Sequence, residues 1–187
     1  CRGKRVTPSR SRGGDRRQPG HRIHQRCVVI NARRIHSAKD LEVVGMLRAR
    51  GGYVDVYGGL DDVPLQERFF LGGPNAYRGS KFRELSPIDP STGERIGGNK
   101  FVLFTGEVSF PILKELLKLN GAVFFDAANN FAEEEDFEFE LEYAVGVGIG
   151  VVTPVGPIRV DLAYNPEPDA RTGNDDFLFH LNFGRSF

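Results

Sequence analysis

The side chains able to do chemistry are few and poorly grouped. His21, His24, His36 and His180 fall at no metal-ligand spacing, and Cys1 and Cys27 support neither a metal site nor a disulfide framework. No nucleophile elbow and no phosphate-cradling loop occurs, so no catalytic, metal or cofactor-binding residues are expected. Gly146, Gly148 and Gly150 do not make a dinucleotide fingerprint, because they lie inside an alternating run rather than ahead of a helix. They mark either a close approach by another segment or the curvature of a sheet. What remains is a set of charges. Arg78 sits in a long connecting segment, and Glu107 and Asp126 interrupt apolar runs. An arginine fork can meet carboxylates bidentately, so these three suit a buried ion pair. They also suit three solvated charges on a wall.

The elements that carry these residues are strands. From Leu41 onward apolar residues alternate and Gly, Pro and Asn clusters punctuate them. The pattern predicts six strands, at about 41–57, 100–110, 117–126, 142–152, 156–165 and 177–187. Successive strand residues point to opposite faces. Val102, Phe104, Gly106, Val108 and Phe110 therefore share a face, opposite Leu103, Thr105, Glu107 and Ser109. Val123 and Phe125 oppose Phe124 and Asp126. Val145, Val147 and Ile149 oppose Ala144, Gly146 and Gly148. Ile158, Val160 and Leu162 oppose Arg159 and Asp161, and Phe177, Phe179 and Leu181 oppose Leu178, His180 and Asn182.

Alternation of this kind fits a soluble β-sandwich binding module with the apolar face inward. It equally fits a membrane barrel with the apolar face to lipid and the polar face to a wet lumen. Three features favour the barrel. The strands are near the ten residues that a tilted membrane strand needs. Short turns such as Thr153-Pro154-Val155 alternate with long polar loops, and Phe187 ends the last alternating strand. The 187 residues carry no net formal charge and a mean hydropathy of −0.33. No run of about 20 apolar residues exists, which excludes a transmembrane helix and leaves a barrel open.

The segment 58–99 is too long for an ordinary hairpin, which marks it as functional or disordered. It contains Arg68-Phe69-Phe70-Leu71-Gly72-Gly73-Pro74-Asn75-Ala76-Tyr77-Arg78-Gly79. This resembles the sixth extracellular loop of the Omp85 superfamily of outer-membrane barrels, the bacterial surface antigen type. There an aromatic strand exit leads to a Gly-Gly pair and a Val-Arg-Gly-aromatic tip. Tyr77 stands for the usual Val and Ser80 for the aromatic, while Arg78-Gly79 is kept. Val123 to Asn129 resembles the family's apolar-Phe-Asp-x-Gly-Asn segment, with Ala128 in place of Gly. Gly146 to Pro157 resembles its Gly-rich strand and turn, and Phe187 its terminal aromatic signature.

The resemblance implies an all-β, antiparallel transmembrane β-barrel, of which this chain holds the C-terminal six strands of an expected sixteen, with a long loop between the first two. It implies a loop-tip motif of Gly72, Gly73, Tyr77, Arg78 and Gly79. Arg78 would fold back into the lumen to meet Glu107 and Asp126. The Asp89-to-Glu94 insertion and Gly97-Gly98-Asn99 look most like the family's bacterial barrel-assembly factors. These fold and insert β-barrel proteins in the outer membrane of Gram-negative bacteria, without enzymatic activity. The implied partners are outer-membrane lipid, unfolded β-barrel clients and accessory lipoproteins of an assembly complex. A secretion or translocation pore of the same superfamily is the alternative.

Residues 1–39 differ from the partial barrel at 40–187. They are rich in arginine, including Arg10, Arg12, Arg16, Arg17, Arg33 and Arg34, and show almost no apolar periodicity. Such a stretch reads as a disordered or artefactual, frameshifted segment. A nucleic-acid arm is disfavoured, because no aromatics interleave the arginines. The start at Cys1 reads as a fragment whose signal peptide lies upstream. The fragment is expected not to close a barrel and to leave the strand at Leu41 as a bare edge.

Overall fold

The computed structural model describes residues 22–38, 41–57, 62–113, 118–132, 140–153 and 156–184. Within them lies one antiparallel sheet in simple sequence order. Its strands are β1 (Arg22–Ala38), β2 (Leu41–Tyr57), β3 (Lys100–Leu113), β4 (Lys118–Phe131), β5 (Glu142–Thr153), β6 (Gly156–Tyr164) and β7 (Phe177–Phe183). β1 and β7 are its two edges, and the sheet is not closed into a barrel.

The strands from β3 onward follow the alternation closely. Val123, Phe125, Val147, Ile149, Leu162 and Phe179 are 45–66% exposed, whereas Thr105, Glu107, Asp126, Arg159, Asp161 and His180 are at most 9% exposed. The apolar face is therefore bare and the polar face covered, the reverse of a soluble sandwich. Removing each such apolar side chain from water gains about 1.5–3 kcal/mol. Leaving these six in water would forfeit on the order of 10 kcal/mol, comparable with the whole stability of a domain. Hydrocarbon is the solvent that suits this face.

The cover on the other face is the long loop. Residues 62–99 fold over the inner face through bridges of Phe69 with Gly98, Leu71 with Leu85 and Ile88 with Arg95. Leu71, Tyr77 and Leu85 from the loop pack with Phe101 and Leu103 of β3, Ala128 of β4 and Ala144 of β5. Asn130 of β4 helps to hold the loop by donating from its amide to the Phe69 carbonyl, at 2.8 Å. At the loop's centre the Gly73 N–H donates to the Ser80 carbonyl at 2.9 Å, which closes residues 74–79 into a compact tip. Gly72 and Gly73 turn the chain there with φ of 104° and 87°, a region that L side chains rarely enter.

The sheet has one strand more than the sequence pattern predicts. β1 lies inside the arginine-rich stretch 1–39 and pairs with β2 from Arg22 opposite Tyr57 to Ala38 opposite Leu41. Its β-branched Ile23, Val28, Val29, Ile30 and Ile35 favour extended backbone but do not alternate with polar residues, so a period of two misses them. The bare edge consequently belongs to β1, not to the strand at Leu41. Residues 1–21 and Phe187 lie outside the described residues.

Candidate functional site

Register explains why a cation is needed on the inner wall. Thr105 pairs with Asp126 and Glu107 with Phe124, so Glu107 and Asp126 are diagonal neighbours on adjacent strands of one face. Both carboxylates are buried, at 8% and 0% exposure. Two like charges held this close, away from water, require a counter-charge.

The loop tip brings Arg78 to that place. Its Nε donates to Asp126 Oδ2 at 2.6 Å and its Nη2 to Asp126 Oδ1 at 2.9 Å, a bidentate pair. Its Nη1 donates to Glu107 Oε2 at 2.9 Å, and its backbone N–H reaches Asp126 Oδ2 at 3.2 Å. The guanidinium also lies 3.4 Å from the centroid of the Phe124 ring. That ring rests over Gly146, its cross-strand partner, where any Cβ would collide with it.

Gly79 follows without a side chain because a Cβ there would run into the Tyr77 ring and the Ala144 methyl. Tyr77 is fully buried in the tip, and its hydroxyl has no hydrogen-bond partner among the described residues. Burial, and then the charges of Glu142, Asp126 and Asp169, push its phenol well above the ordinary tyrosine range, so it stays protonated.

The structure thus brings Arg78, Glu107 and Asp126 together. Gly72 and Gly73 shape the turn into the tip, and Tyr77 and Gly79 pack it against β5. Phe187 is not among the described residues.

Sequence reasoning missed a second arginine. Arg159 of β6 donates from Nη1 to Glu107 Oε1 at 2.7 Å, from Nη2 to Glu107 Oε2 at 3.0 Å, and from Nε to Asp161 Oδ1 at 2.7 Å. Glu107 is therefore shared between the loop and β6. Neighbouring strands lie about 4.8 Å apart, so β6 and β3 are separated by roughly 14 Å along the wall, and the side chains of Arg159 and Glu107 meet between them over β5 and β4. Small residues clear its way. Ala122 pairs with Gly148, and Gly148 with Asp161. A Cβ on Gly148 would overlap Asp161 Oδ1 and stand 3.0 Å from Arg159 Nη2. Of the two readings of the glycine row, close approach holds at Gly146 and Gly148. The available signal was the shared face of Arg159, Asp161 and Glu107.

A rim of backbone contacts surrounds this centre. Asn165 Nδ2 donates to the Gly79 carbonyl at 3.3 Å, and His180 Nε2 lies 2.8 Å from the Arg78 carbonyl. Arg95 donates to the carbonyls of Ala170 and Arg171 at 2.9 and 2.8 Å, and Arg171 donates to Asn129 and to the Asn130 carbonyl. The segment 166–176 is thereby tied to the long loop.

This arrangement has no nucleophile beside a base. Chemically it can do one thing well, which is to fix the loop tip to the wall through paired charges. Comparisons with known proteins bear on the family and the fold. The Omp85 superfamily domain matches residues 25–187, which begins inside the β1 hairpin. Over 90 residues the chain is 39% identical to the outer membrane protein assembly factor BamA of Nitratidesulfovibrio vulgaris, a match covering 48% of this chain and 11% of that protein. The crystal structure of BamA from Haemophilus ducreyi lacking POTRA domains 1–3 superposes with a TM-score of 0.71. That likeness covers 87% of this chain and 35% of the other at 19% identity, and so speaks for the fold. The chain spans about a tenth of the length of the curated relative and about a third of the solved one. With its apolar outer face, its polar inner wall and a family match over most of its length, the chain belongs to the Omp85 superfamily of the bacterial outer membrane.

Proposed function

We propose that this chain is the C-terminal barrel part of a BamA-like outer membrane protein assembly factor, which folds and inserts β-barrel proteins into the outer membrane. The observation that carries the reading is the seating of Arg78 between Asp126 and Glu107, together with 39% identity to an assembly factor over 90 residues. The loop tip acts as a lock on the inner wall. Unfolded β-barrel chains are the clients, lipid is the surrounding solvent, and accessory lipoproteins complete the complex. No group-transfer step is involved. An incoming strand gains by pairing its backbone polar groups at a sheet edge, because hydrocarbon leaves them unsatisfied.

The test is replacement of the native gene by full-length Arg78→Ala in cells that depend on it. Inserted protein should remain detectable while folded, heat-modifiable client barrels fall several-fold. Client assembly at the wild-type rate would sink the reading.

A further inference from the structure

Within the loop tip Arg78 grips the wall at two places, through its charged side chain and through its carbonyl. The Arg78 side chain reaches β3 and β4 through Glu107 and Asp126. The carbonyl of the same residue lies 2.8 Å from His180 Nε2 on β7. A carbonyl oxygen can only accept, so Nε2 carries the proton and donates. Laid flat, β4 and β7 would stand roughly 14 Å apart, three strand spacings. One residue that bonds to both requires the wall to curve around it. His180 is 7% exposed and faces inward beside Asp161, its cross-strand partner on β6. Among the described residues β7 is the shortest strand, and it pairs with β6.

We infer that His180 is a positioning residue which clasps the docked tip to β7, so that seating of the loop sets where this strand lies. This rests on the docking reading above and adds to it. Arg78 holds the loop to β3 and β4, and His180 carries that hold to β7. Loss of the His180 donor should free β7 from the tip while leaving the Arg78–Asp126 pair in place.

The experiment uses the full-length protein in lipid vesicles, with Cys1 and Cys27 replaced by serine. Spin labels are placed at exposed positions, one pair at Phe82 and Phe179 (loop to β7) and one at Phe82 and Val123 (loop to β4). In His180→Ala the Phe82–Phe179 distance distribution should widen at least twofold while Phe82–Val123 keeps its wild-type width. His180→Gln, whose amide nitrogen reaches the same place, should keep both narrow. A Phe82–Phe179 width unchanged in His180→Ala, or as broad in His180→Gln, overturns the inference. If His180→Ala does not assemble, His180→Asn retains an amide without the reach and is read by the same two distances. Arg78→Ala tests the underlying docking separately. It should widen Phe82–Val123, and a narrow distribution there would defeat the docking reading whatever His180 does.

Discussion

The β1 strand and the β3–β7 wall are both antiparallel sheet, yet different forces specify them. In the wall every residue has a fixed side. Outward positions such as Val147 are apolar and bare, and inward ones such as Asp161 are polar and covered. A slip of one residue would turn Glu107 and Asp126 toward lipid, so register is strongly determined. β1 lacks this control. Val28, Val29 and Ile30 are consecutive, and all three are more than half exposed. Val29 pairs with the inner-facing Arg50, so an apolar side chain stands on the polar side. The cover supplied by the loop reaches β2, where Arg50 donates to the Asn75 carbonyl at 2.6 Å. Backbone pairing alone can extend a sheet, but burial and charge pairing decide which face is which.

The largest effect should come from breaking the lock that distinguishes the wall. Removing one member of a deeply buried ion pair costs about 3–5 kcal/mol, against under about 1 kcal/mol for an exposed pair. Arg78 is 5% exposed and Asp126 0%, which places the pair toward the costly end. Arg78→Ala and Asp126→Ala in the full-length protein should each lower heat-modifiable stability by about 3 kcal/mol. The double mutant should lose little more than either, because each partner depends on the other. Additive losses would show that the residues act separately and would make Glu107 the principal partner.

How far the sequence could reach follows from the same contrast. Alternation places Glu107, Asp126, Arg159 and His180 on the inner face by counting alone. The tip motif, with Arg78-Gly79 at its centre, singles out the arginine. Counting stops at partners. That Arg159 meets Glu107 depends on two small residues in the intervening strands, Ala122 and Gly148, which read as weak strand positions. His180 bonds to a backbone carbonyl, which no side-chain type announces. β1 escaped because its apolar residues are clustered instead of alternating.

The second prediction sets the two regions side by side. Arginine on the lipid face of a barrel costs about 2–4 kcal/mol at mid-depth. Val147→Arg, on the bare face of β5, should lose that much. Val29→Arg in β1, on the uncovered inner side beside Arg50, should cost less than about 0.5 kcal/mol, as a typical surface change does. Urea unfolding of the full-length protein in lipid measures both. An equal loss at Val29 would mean that β1 is packed as tightly as the wall.

Glycines sharpen the contrast at smaller scale. Gly148→Ala puts a methyl group into Asp161 and against Arg159, and overpacking of this kind costs about 1–3 kcal/mol. Gly51→Ala in β2 meets nothing closer than the Phe101 carbonyl at 3.5 Å, an ordinary contact. It should be neutral or gain about 0.5 kcal/mol by restricting the unfolded chain. Arg159→Lys in the Gly148→Ala background should not restore stability, because an ammonium lacks the fork that spans Glu107 and Asp161. Recovery in that double variant would show that the methyl group acts through its clash with Arg159 and that the fork is dispensable.

The smallest effect is expected from the Tyr77 hydroxyl in the loop tip. Tyr77 is fully buried, and its hydroxyl has no partner among the described residues. A buried polar group without a hydrogen bond costs about 1–3 kcal/mol, and removing it relieves that cost. The ring itself must stay, since it fills the space beside Gly79 and packs with Leu71, Leu85 and Leu103. Tyr77→Phe should therefore raise stability by up to about 1 kcal/mol and leave client assembly unchanged. Tyr77→Ala should lose about 3–5 kcal/mol, as aromatic truncations in a core do. The melting temperature of the full-length protein separates the two. A clear loss in Tyr77→Phe would mean that the hydroxyl is hydrogen-bonded in the lumen, and the tip would then be held by a polar anchor on β5 as well as by Arg78.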